Sequence, residues 1–220
     1  MFKKSVLVAA LCAVSFGAQA WDVPKLPSVG GDKAAAKSSG NVETEVKDFT
    51  GKSAELAAIA NVSLVAINSA FDTEEIIAAK KAELSKIDAM TDPKEKGAAT
   101  AKMNETESAS AAKNLKSADA EKKVKELSAD KQKKIGAALF NFGIAALKAP
   151  DLISKGKSIL SAATITEAAK VLPVKDALPL LGRFVSDGGS TIAGFMKIAK
   201  GANIAVPEVS ASSSYAKVDL

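Results

Sequence analysis

The chain of 220 residues contains no histidine, one cysteine and one arginine. Each shortage excludes a class of chemistry. Without histidine there is no His-ligated zinc or haem and no Ser–His or Cys–His nucleophilic pair. Nothing of imidazole type titrates between about pH 5 and 8. The single thiol, Cys12, excludes an internal disulfide. One arginine, Arg183, stands beside 29 lysines, so bidentate reading of bases is nearly absent. Aromatics make up 5% of the chain, and stacking platforms for single strands are scarce. Nucleic acid is therefore not an expected partner. Glycine-rich phosphate loops and Asp-x-Asp calcium loops are also missing, and no cofactor or metal is expected.

The first twenty residues follow an export pattern. Lys3 and Lys4 form a positive start, an apolar run extends from Ser5 to about Phe16, and Ala18-Gln19-Ala20 fits the small-x-small cleavage site. The apolar run is shorter than the roughly 20 residues that span a bilayer. Residues 1–20 are thus read as a signal peptide cut near Ala20, leaving Trp21 first. The expected location is the periplasm of a bacterium or the medium. Loss of the two lysines leaves 28 Lys and Arg against 25 Asp and Glu, a mild excess and no basic patch.

Residues 21–40 read as a flexible tether, with Pro24, Pro27, Gly30-Gly31 and Ser38-Ser39-Gly40. Residues 205–220 read as a second flexible tail. Between them the chain is made of helix formers, with alanine at 43 positions, and carries no strand-and-hairpin signature. The expected fold is all-α: an irregular helical bundle over 41–204, with a long polar, partly exposed helix. Capping signals occur at Asp72 to Glu75, Asp92-Pro93 and Thr164 to Glu167. Pro150, Pro173, Pro179 and Gly188-Gly189 predict boundaries or kinks. Residues 91–123 hold only Met103 and Leu115 as large apolar groups, which predicts a solvated arm.

Ser-x-x-Lys occurs four times, at Ser110, Ser128, Ser154 and Ser214, a number that composition alone produces. A lysine acting as base there would have to be buried. Paired acids such as Glu74 and Glu75 suit a helix N-terminus better than acid–base work. No convergent catalytic set emerges. The expected function is non-enzymatic: an adaptor, scaffold or structural component acting on a protein partner in the envelope.

The most distinctive stretch is Ile135 to Leu147, thirteen residues without charge, framed by lysines. Gly136 and Gly143 lie seven apart within it, as Gly194 and Gly201 do further on, and such glycines invite close approach of another helix. The alternative function is reversible binding of lipid, another apolar ligand or a membrane surface through 135–147 and 178–202. The surface residues named for lipid or partner binding are Ile135, Leu139, Phe140, Phe142, Phe184, Phe195, Met196, Lys197 and Lys200.

Overall fold

Four of the six described α-helices start at a side chain that accepts an orphan amide of the first turn. Asn41 accepts from the Glu43 amide, and α1 runs Val42–Asn68. Thr73 accepts from the Ile76 amide at 3.4 Å and starts α2, Glu74–Asp88. Asp92 accepts from the amides of Lys94 and Glu95 at 2.9 and 2.8 Å, with Pro93 in the first turn of α3, Pro93–Leu115. After the short α4, Ala120–Lys125, Ser128 caps α5, Ala129–Ala162. The Thr164–Glu167 capping box forms, but on a single 3₁₀ turn, Ile165–Glu167. Last comes α6, Leu172–Gly201. The computed structural model describes residues 41–220. The leader and the 21–40 tether expected from the sequence lie outside the described residues.

The fold is all-α. α5 packs against α1 and against α6, while α3 lies along α1 and α4 along α6. The interior is filled by Phe49, Leu56 and Leu64 of α1, Leu139, Phe142 and Ile159 of α5, and Val174, Leu181 and Phe195 of α6. Phe142 meets Phe184 with ring centroids 5.0 Å apart, and Phe71 meets Phe195 at 6.2 Å. Both pairs are tilted, as aromatic quadrupoles favour.

Four expectations change. Asp72 is not the cap of α2; the extended backbone at Thr73 gives that role to Thr73, and Asp72 turns to Lys80. Pro150 and Pro179 sit inside α5 and α6 and end neither helix. Gly188-Gly189 does not separate two helices either. A Cβ at Gly188 would stand 3.1 Å from the Phe142 ring, so this glycine seats α6 on α5, and packing outweighs local propensity. Finally, residues 93–115 are helical, polar and largely exposed, but carry a buried seam of Thr100, Met103, Glu107 and Ala111 against α1. Met103 is only 3% exposed and joins Val65 and Ile87 in a second apolar cluster.

Residues 205–220 contain no helix or strand, and they lie along the bundle. α6 ends with Asn203 in the left-handed region (φ 58°). The Asn203 amide donates to the Lys200 carbonyl and the Ile204 amide to that of Ala199, which completes a Schellman end.

Truncating Met103 to Ala should destabilise by about 2–5 kcal/mol in urea unfolding, as buried Met does. Two glycine substitutions should have opposite signs. Gly97 is open to solvent, and Gly97→Ala should stabilise by roughly 0.5–1 kcal/mol. A Cβ at Gly156 would fall 2.7 Å from the Phe49 ring and 2.9 Å from Leu178, so Gly156→Ala should destabilise by about 1–3 kcal/mol.

Candidate functional site

The residues singled out on α5 and α6 divide between the interior and the surface. Ile135, Leu139, Phe142, Phe184 and Phe195 are core residues that pack on one another. Phe140 is half-buried. Met196, Lys197 and Lys200 are exposed on α6. Only these last three, with part of Phe140, are open to an outside molecule in this arrangement. An 18-residue window of α5 is apolar enough to cross a membrane by length and composition, with mean hydropathy 1.2, but 56% of it is buried inside the bundle. A core helix meets the same criterion.

The outward side of α6 carries the larger apolar groups. Leu172, Leu180 and Met196 are 53%, 43% and 37% exposed. Gly182 and Gly189, seven apart, have open space where a Cβ would stand. Ser186 and Ala193 continue the same three-and-four spacing from Gly182 to Met196. Lys175 and Lys200 fall on this same stripe, Arg183 and Lys197 lie beside it with Leu172, and Leu180 lies on the far flank of the exposed side; all are exposed.

The four Ser-x-x-Lys pairs do not form buried sites. Lys113, Lys131, Lys157 and Lys217 are all exposed, and Ser128 is occupied as the cap of α5. Among the described residues no three acidic or thiol side chains gather as metal ligands.

Sequence reasoning missed a buried polar node where α1, α2 and α3 meet. Glu107 of α3 is 2% exposed. Its carboxylate accepts from Lys80 Nζ and Asn68 Nδ2, both at 2.8 Å, and Lys80 reaches Asp72 at 2.7 Å. Asn68 Nδ2 also donates to the Glu107 carbonyl at 2.9 Å, and Asn114 donates to Asn68 Oδ1. One heptad earlier on both helices the contact recurs: Asn61 Nδ2 donates to the Thr100 carbonyl at 2.9 Å. The available signal was Asn61 and Asn68, seven apart inside an apolar run. A polar residue at that spacing fixes register between helices.

Burial draws the Lys80 ammonium down, but hydrogen bonds to Asp72 and Glu107 outweigh it and leave its pKa raised. Hydrogen bonds from Lys155 and Lys52 lower the Asp48 carboxyl, Lys131 lowers Glu74, and the Thr164 amide and hydroxyl lower Glu167. Burial raises the Tyr215 phenol, with Glu55 adding to it. The Asp48–Lys155 pair also ties α1 to α5.

No protein-family model, curated protein or solved structure matches the chain.

Two outcomes are expected. Glu107→Ala leaves Lys80 with Asp72 as its remaining partner and opens space beside Asn68, and should destabilise by about 1–3 kcal/mol in chemical denaturation. Lys131→Ala removes only an exposed pair with Glu74 and should change stability little. The pH profile follows from the shifts. Asp48, Glu74 and Glu167 are lowered, so their stabilisation is present above the ordinary values of 3.8 and 4.5 and is lost as pH falls below these and through the lowered values. Lys80 and Tyr215 are raised, so stability drops as pH climbs past the ordinary values of 10.5 and 10.0. Thermal melts should therefore be level from about pH 5 to 8. A titration step inside that window would contradict this assignment.

Proposed function

We propose that the chain is exported after removal of residues 1–20 and works by contact, holding an amphipathic helix of a protein partner in the envelope against the outer face of α6. It catalyses no reaction in this reading. The observation that carries it is the exposure of Leu172, Leu180 and Met196 on a helix whose inner face is already satisfied by Val174, Leu181, Phe184 and Phe195. Gly182 and Gly189 leave room on the stripe that leads to Met196, and helical glycine there gives up roughly 1 kcal/mol against alanine without any packing return inside the chain. A partner helix lying on the face would supply that return. A second reading, attachment to an anionic lipid surface, is favoured by Arg183, Lys197 and Lys200 beside Met196.

A photocrosslinking side chain at Gly189 in cells separates the two. Covalent capture of one discrete protein, abolished by Met196→Glu with an unchanged melting curve, is the expected result. Crosslinks to lipid alone, with flotation on anionic vesicles lost in high salt, would replace the lead reading by the second. Absence of both, or turnover abolished by one Ser or Lys substitution, would remove contact as the mode of action. The mass of the exported protein should begin at Trp21.

A further inference from the structure

Gly136 and Gly143 of α5 admit no second helix: what lies over them is the irregular segment that follows α6. A Cβ at Gly136 would stand 2.5 Å from the Ala205 carbonyl oxygen, and one at Gly143 would stand 3.0 Å from a Val209 methyl. About 140° round α5 from these glycines, where the segment returns past the helix, the Asn141 side chain takes both main-chain groups of Ala216. Its Nδ2 donates to the Ala216 carbonyl, and its Oδ1 accepts from the Ala216 amide, each at 2.7 Å. Lys148 of the same helix sits 4.6 Å from the centre of the Tyr215 ring. Val206, Val218 and Leu220 pack against the core, and Leu220 also reaches the cluster of Val65, Ile87 and Met103.

α5 therefore presents a built site for extended polypeptide. Glycines open the floor, an amide clamp reads main chain without regard to side chain, and apolar recesses take β-branched residues. We propose that residues 203–220 exchange between copies of this chain, so that the strap of one molecule fills the α5 groove of another. The occupant is fixed by what is seated there: this sequence fits, and every copy carries it. Two features favour exchange. The strap beyond Ile204 has few main-chain hydrogen bonds, the described ones being those between Ser210 and Ser213 and the pair to Asn141. It also leaves α6 through a single left-handed residue, Asn203, where a change of one backbone angle redirects the chain. Exchange keeps every groove contact and changes only which molecule supplies it, which makes it a low-cost route to a dimer.

Two full-length variants test this by complementation. Val209→Asp with Ala216→Pro disarms the strap, since proline has no amide for Asn141, and leaves the groove intact. Gly143→Leu fills the groove and leaves the strap intact. Each alone should sediment as a monomer, and an equimolar mixture should give a one-to-one heterodimer by native mass spectrometry. A mixture that stays monomeric while both variants keep their helical signal overturns the proposal. Should Gly143→Leu fail to fold, a labelled peptide of residues 203–220 is titrated onto the first variant. Saturable binding, weakened about tenfold or more when the peptide carries Ala216→Pro, supports exchange. No saturable binding overturns it.

Discussion

Alanine and glycine let helices come close, but they offer little relief by which one helix can find its place along another. In this chain buried asparagine amides supply the missing specification. Asn61 and Asn68 grip the carbonyls of Thr100 and Glu107 on α3, one heptad apart. Asn141 grips the main chain of Ala216. Each such bond contributes about 1 kcal/mol net, but leaving the buried amide unmatched costs more, so misregistered packings are penalised more than the native one is rewarded. The apolar interior then makes the bundle stable, and the amides decide which bundle it is.

That division explains how so polar a helix as α3 joins the fold. Its seam offers only Met103 and Ala111 as buried apolar groups, too little to hold 23 residues by burial alone. The amide contacts and the Lys80–Glu107 pair complete the attachment and bring α2 with them. α2 itself buries only Ile77 and Ile87. The interior formed by α1, α5 and α6 leaves two features facing outward, the exposed side of α6 and the strap along α5. The proposed contact function rests on these.

Much of the scaffold was legible in the sequence because its signals are local. Asp92-Pro93 caps α3 as read, and Leu56, Leu64, Leu139 and Phe142 lie in the core that their spacing marks. Contacts between distant segments were not legible. Gly188-Gly189 reads as a break until Phe142 is known to occupy the space beside Gly188. Met103 reads as solvated because counting large apolar residues ignores what Thr100, Ala111 and two asparagines add to the same seam. The spacing of Gly136 and Gly143 marks a close approach, but by a helix, and an irregular segment lies there instead. That segment was not legible, because Val206, Val209 and Val218 are scattered among serines and show no period. Of the surface residues chosen beforehand, Met196, Lys197 and Lys200 are outside, whereas the phenylalanines chosen for their size are mostly inside for that same reason.

Amide hydrogen exchange on a variant carrying Asn61→Leu and Asn68→Leu tests the central claim most directly. Leucine keeps the branching and the number of heavy atoms and adds apolar area, so a bundle governed by burial would lose little or gain. If the asparagines set the register, protection should collapse across Glu74–Asp88 and Pro93–Leu115 while the amides of α5 stay slow. Undiminished protection in α3 would contradict the account.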